Sequence, residues 1–168
     1  KALVLDTQYR VAQLYDLATM PVLPHKIAPI AAQYEQAIRD LQKSVGTSFD
    51  LAPALAAAQA LGAVAETLDT APRPSEPGKQ AALNTMLVRL THRLNSTLYT
   101  KAGRFDQDPA AELPFLPLLA RARELPAFAP ESDAFGFLQT ELLRARNAVE
   151  ATLSEAAAEI QHYRSAGR

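Results

Sequence analysis

Ser132-Asp133-Ala134-Phe135-Gly136-Phe137-Leu138-Gln139-Thr140-Glu141-Leu142-Leu143-Arg144-Ala145-Arg146-Asn147-Ala148-Val149-Glu150 opens the stretch that decides the fold, and the same pattern runs on to Tyr163. Phe135, Leu138, Leu142, Ala145, Val149, Thr152, Ala156, Ile160 and Tyr163 step by threes and fours. That spacing places them on one side of a helix, and it is the seam of helices packed at shallow angles. Ser132 or Asp133 can cap the helix start.

The same rhythm recurs upstream. Val4, Val11, Leu14 and Ala18 share a stripe, with Leu3, Leu17 and Tyr15 beside it, and Pro21 and Pro24 end that segment. Ile27, Ile30, Tyr34, Ile38, Leu41 and Val45 form a second stripe, with Pro29 in the opening turn and Gly46 as the stop. Asp50 reads as the cap of a third helix that carries Leu51, Leu55, Ala58, Leu61, Val64 or Ala65, and Leu68. Pro72, Pro74 and Pro77 break the chain before Leu83, Leu87, Leu90, Leu94 and Leu98. Residues 114–123 read as a short helix closed off before Pro126. No segment alternates with the period of a strand. The expected fold is all-α: long helices packed antiparallel in an up-and-down four-helix-type bundle, with an additional short helix, as a single domain over residues 1–168.

Composition excludes several classes. The chain has 17 basic and 18 acidic residues and a formal charge of -1. A nucleic-acid-binding surface or an anionic-membrane binder would carry a basic excess. No cysteine is present, so there is neither a disulfide framework nor a thiolate metal site. No apolar run approaches the roughly 20 residues that span a bilayer. The three histidines, His25, His92 and His162, fall in no HxxxH or HExxH spacing, so a self-contained zinc site is not expected. Glycine-rich phosphate loops and a GxSxG elbow are also missing. Asp106 and Asp108 could suggest a hard-cation site, but two acids without further ligands read as turn residues. Arg121, Arg123, Arg144 and Arg146 form two Arg-x-Arg pairs, whose members point to different helix faces. They read as surface cations or as partners of Glu124 and Glu141.

One connection stands apart. Tyr99-Thr100-Lys101-Ala102-Gly103-Arg104-Phe105-Asp106-Gln107-Asp108-Pro109 is polar, and it mixes cations, carboxylates and aromatics between two helices. Binding groups concentrate in such loops on rigid scaffolds. Lys101, Arg104, Phe105 and Tyr99 are the candidate site residues. A cation beside an aromatic can recognise a carboxylate and an apolar side chain together. An ordinary surface loop is the competing reading.

The order of these features resembles the transferrin-receptor-like dimerisation domain, the C-terminal helical domain of the glutamate carboxypeptidase and bacterial zinc aminopeptidase family. Three stretches carry the resemblance: Ala12 to Pro24, ending Met20-Pro21-Val22-Leu23-Pro24; Ala81-Ala82-Leu83-Asn84 through Arg93-Leu94-Asn95; and Phe115-Leu116-Pro117-Leu118-Leu119 with the closing helix from Glu141 to Ile160. Glutamate-selective relatives carry an Asn-Lys-Tyr element in the substrate-side loop. This chain has Tyr99 to Phe105 there, with Lys101 as the candidate cation and Arg104 as its rival. The resemblance implies an excised domain of a larger binuclear zinc exopeptidase, secreted or periplasmic. It also implies that the zinc belongs to a catalytic domain elsewhere in the same polypeptide. This chain would hold no cofactor or catalytic residue of its own; it would form a homodimer and complete the substrate cleft. A different class of reading is a free-standing helical-bundle adaptor or sensor. Lys1 in place of an initiator Met weakly favours the excised domain. Apolar residues off the main seams, Leu3, Leu5, Leu17, Leu143 and Phe137, are the candidates for a dimer face.

Overall fold

A computed structural model describes residues 2–103, 106–108, 110 and 112–166. It is all-α, with no strand among the described residues. The elements are α1 (Ala2–Thr19), α2 (Ala28–Val45), α3 (Ala52–Asp69), α4 (Pro77–Leu98), a single turn α5 (Pro117–Ala120) that passes into a 3-10 stretch (Arg121–Ala127), and α6 (Asp133–Ala166).

Four helices make the core. α3 lies against α2 and α6, and α6 lies against α4. The chain alternates direction from α2 to α6, but the order around the bundle is α2, α3, α6, α4. Two neighbouring pairs therefore run parallel. Arg146 reaches the Asp50 carbonyl at the start of α3, while Arg164 reaches Thr67 at its end. The expected antiparallel packing holds for α2 with α3 and for α4 with α6. The segment 70–76, stiffened by Pro72 and Pro74, carries the chain across the bundle rather than to the adjacent corner.

The seams are those the spacing selects. Tyr34, Ile38 and Leu41 of α2, Ala58, Leu61 and Ala65 of α3, Leu87, Leu90 and Leu94 of α4, and Leu142, Val149, Leu153 and Ile160 of α6 are buried in one cluster. Ala65, not Val64, takes the inner position of α3. Leu153 replaces Thr152 in the α6 seam, which keeps a hydroxyl out of the core.

Tyr34 spans the remaining gap, between α2 and α4. Its ring is fully buried, and its hydroxyl lies 2.5 Å from the Leu94 carbonyl and 2.6 Å from Thr97 Oγ1. A carbonyl has no proton, so Tyr34 donates to Leu94 and Thr97 donates to Tyr34. Burial drives the phenol well above the usual tyrosine range, and the Thr97 bond only partly counters it.

Side chains also fasten the connections. Asp69 at the end of α3 accepts the Ala28 N–H at 2.8 Å, capping α2 from outside. Asn84 of α4 accepts the Leu23 N–H at 2.8 Å and donates to the Pro21 carbonyl at 3.1 Å. Gln42 holds the α2–α3 turn through Gly46, Phe49 and Leu51. Gly46 has φ +58° and ψ -126°, a backbone conformation that glycine adopts and a side chain would strain, and the helix stops there. Asp50 accepts the Ala52 N–H at 2.9 Å, and Ser132 accepts the Phe135 N–H at 3.2 Å, so both act as start signals. Arg93 ties α4 to α6 through Glu155 and, at 3.6 Å, Glu159.

α1 departs from expectation. Its stripe is present, yet the helix buries no residue, and Leu3, Val4, Val11, Leu14 and Leu17 all stay exposed. Pro21 and Pro24 are the physical reason: they stop α1 and hold the linker extended, so the core closes with α2, α3, α4 and α6 alone. The short helix also differs, with only Pro117–Ala120 α-helical and the 3-10 turns running through Pro126.

Tyr34→Phe removes the buried hydroxyl that bridges the Leu94 carbonyl and Thr97. The expected loss is about 1–3 kcal/mol by denaturant melts. The wild type should also lose stability above about pH 10, where the unfolded tyrosine ionises and the buried one resists. That slope should be shallower in Tyr34→Phe, measured as Tm against pH.

Candidate functional site

The connection between α4 and α6 leaves the bundle after Leu98 and returns at Leu116, and a hydrogen bond joins its ends. The Leu116 N–H donates to the Leu98 carbonyl at 3.0 Å. Leu116 takes a left-handed backbone, φ 53° and ψ 58°, while its side chain is buried. That conformation costs a leucine about 1–2 kcal/mol. Burial of the side chain offsets it, together with the Leu116 carbonyl accepting the Leu119 and Ala120 N–H groups at 2.9 Å each. The loop is thus an Ω-type excursion whose stem belongs to the core.

Within the excursion, the first turn is tightly held. The Tyr99 hydroxyl donates to Gln33 Oε1 of α2 at 2.8 Å, and its ring meets Phe115 edge-on at 5.6 Å. Asp108 Oδ1 accepts the N–H groups of Lys101 at 2.9 Å and Ala102 at 2.8 Å. Asp106 N–H closes on the Gly103 carbonyl at 3.0 Å. A Cβ on Gly103 would stand 2.9 Å from Asp106 Oδ2, so glycine permits that close approach. Asp108 therefore acts as the turn residue that the sequence suggests.

Described residues of the excursion border three clefts, one of them against α2 beside Glu112 and Phe115, and the other two flank its first turn. One, of about 960 Å³, lies between the loop and the outer face of α4 and is bordered by Arg89, His92, Ser96, Ala102 and Asp106. The other, of about 530 Å³, is bordered by Lys101, Pro117, Leu118, Arg121 and Arg144. Its rim is cationic and its floor apolar. Arg121 is already engaged with Glu124 at 3.3 Å and Glu141 at 2.5 Å. Glu124 first, then Glu141, holds that guanidinium charged even more firmly than usual.

The candidate residues do not act as one group. Tyr99 is turned toward α2 and Phe115, where it fixes the loop stem. Lys101 borders the cleft over α5 and α6, away from Tyr99's partners. Arg104 and Phe105 lie outside the described residues. Among the described residues no three His, Asp or Glu side chains converge as a metal-ligand set. No helix among them is long and apolar enough to cross a membrane. Sequence reasoning missed Gln33, Asp108's double acceptance and Arg144's place beside Lys101. The first and third depend on long-range packing. The second was within reach, since an Asp several residues after a helix end commonly collects free N–H groups.

Comparison with family models, with curated proteins and with solved structures finds no match to this chain.

Asp108→Ala removes both acceptances that hold the turn at Lys101. Tryptic cleavage after Lys101 should accelerate several-fold while the melting temperature falls by no more than a few degrees, since the loop opens locally. Equal cleavage rates in mutant and wild type would show that the carboxylate does not set the loop.

Proposed function

We propose that this chain is a non-catalytic helical domain that dimerises and completes the substrate cleft of a binuclear zinc exopeptidase of the glutamate carboxypeptidase kind. The observation that carries this reading is the contrast between the two ends of the molecule's chemistry. The four-helix core is apolar apart from the bonded Tyr34 hydroxyl, with no charged residue buried among those described, so it is a scaffold. The one elaborate polar feature is the pinned loop, which presents Lys101 at a cleft with an apolar floor. A fixed cation above an apolar wall suits a ligand with a carboxylate and an apolar body.

The sequence resemblance supplies the rest of the proposal. Zinc and its ligands would belong to the catalytic domain of the same polypeptide, and substrate would lie between that domain and this loop. Lys101, with Arg104 as its rival, would meet a substrate carboxylate, and Phe105 would add an apolar wall. The bare α1, which buries no residue, is available to pack on the rest of such a protein.

The test uses the full-length polypeptide. Lys101→Ala and Arg104→Ala should each leave the fold intact, and one of them should lower kcat/KM on carboxylate-bearing substrates. A desolvated charge pair costs about 2–5 kcal/mol when one partner is truncated, which corresponds to a loss of roughly 30-fold or more. A solvated cation would give a near-neutral change. Unchanged kinetics for both single variants and the double variant across amino- and carboxypeptidase substrates would remove the cleft role and favour an adaptor.

A further inference from the structure

The outer stripe of α6 carries a charge pattern that is complementary to itself. Asp133, Phe137, Arg144 and Ala148 are spaced by four, seven and four, so they lie in one line along the helix, and all four are exposed. Phe137 is 74% exposed, more than any other large apolar side chain of the bundle proper. Leu118 of α5, 44% exposed, lies farther along α6, beside Arg144 and Ala148. Two acids, Glu131 and Asp133, precede Phe137, and a cation, Arg144, follows it. None of these three charges enters an ion pair among the described residues. Glu141, also on this side, is occupied by Arg121 at 2.5 Å.

We infer that this stripe is the face on which two copies of the chain meet, α6 against the partner's α6, antiparallel about a two-fold axis. This rests on the homodimer proposed above and names its surface. In an isologous contact the same patch appears on both sides, and what lies before the axis on one copy meets what lies after it on the other. An axis passing midway between residues 138 and 139 brings Asp133 opposite the partner's Arg144, and Arg144 opposite the partner's Asp133. The two Phe137 rings then flank the axis, each shielded by the partner's ring. Gly136 and Thr140, small and exposed, border the Phe137 line, and a Cβ on Gly136 would meet nothing within 4 Å. The helices can therefore approach closely. A parallel pairing would set Asp133 on Asp133 and Arg144 on Arg144, so the charges select the antiparallel one.

α1 is the competing occupant. Its apolar residues are more numerous, but they lie on both sides of the helix: Leu5 and Tyr9 oppose the stripe of Val4, Val11 and Leu14. Asp6 and Asp16 sit on the far side from that stripe. Nothing in its charges matches the α6 stripe, whereas Asp133 and Arg144 are matched to each other in sign and in distance from the axis.

Charge reversal with rescue tests this on the intact 168-residue chain by sedimentation across a concentration series at low salt. The wild type should be a dimer. Asp133→Arg alone and Arg144→Asp alone each place like charges opposite one another at two symmetry-related points, and each should raise the dimer dissociation constant about tenfold or more. The double variant Asp133→Arg, Arg144→Asp should restore it to within about threefold of the wild type. Phe137→Ser should abolish dimers, with an unchanged far-UV spectrum showing that the fold persists. A wild type that stays monomeric overturns both this inference and the homodimer of the isolated chain. A dimer untouched by either reversal, or one lost instead with Val11→Asp in α1, overturns the α6 face and leaves the homodimer standing.

Discussion

The hydroxyl of Tyr34 between the Leu94 carbonyl and Thr97 is the contact on which the rest of the architecture depends. α2 and α3 are joined by a short turn, and α3, α6 and α4 pack directly on one another. α2 and α4 are parallel neighbours with no short connection between them, and they close the bundle through this one inserted ring. Alignment of Leu23 with Asn84 and of Tyr34 with Leu94 sets their relative height. A buried phenol is costly unless its proton and lone pairs are used, and here both are. The bond therefore fixes register as well as distance, because a shift by one turn would leave the buried phenol without its partners.

Register matters because the last turn of α4 is the stem of the polar loop. Leu94, Thr97 and Leu98 are placed by Tyr34. Leu98 receives the Leu116 N–H, Tyr99 reaches back to Gln33 of α2, and Phe115 closes on Tyr99. The strained Leu116 is held by the same group of contacts. The loop is thus an extension of the core rather than a loose connection, and the position of Lys101 over the α5–α6 cleft follows from the α2–α4 contact. A rigid scaffold that fixes one cation beside an apolar floor is a means of positioning, and it fits a domain that works on a ligand held mainly by something else.

Most of the fold is legible in the sequence for one reason: burial imposes a period. The stripes of α2, α3, α4 and α6 lie in the core because each helix has one dry side, and prolines and Gly46 mark the ends. Where periodicity speaks only of amphipathicity, it cannot say what the apolar side meets. α1 shows this, since Val4, Val11 and Leu14 have the spacing of core residues and remain in solvent. The spatial order of the helices is likewise invisible in a stripe; it comes from the 70–76 crossing and from pairs such as Arg164 with Thr67. The candidate site is legible as a place, not as a geometry. Tyr99 turns out to be a fastening, Lys101 faces another cleft, and Arg144 joins Lys101 only through packing separated by more than forty positions in the chain.

Native-state hydrogen exchange tests the central claim, that a four-helix core carries the loop stem as part of itself and leaves α1 outside. The amides of Lys101, Ala102 and Leu116 donate to Asp108 and Leu98. On this account Leu116 exchanges as slowly as the buried turns of α4 and α6, Lys101 and Ala102 are measurably protected, and the α1 amides exchange within about tenfold of unstructured peptide rates in dilute monomer. Core-like protection of α1, or a Leu116 amide that exchanges as freely as α1, would contradict it.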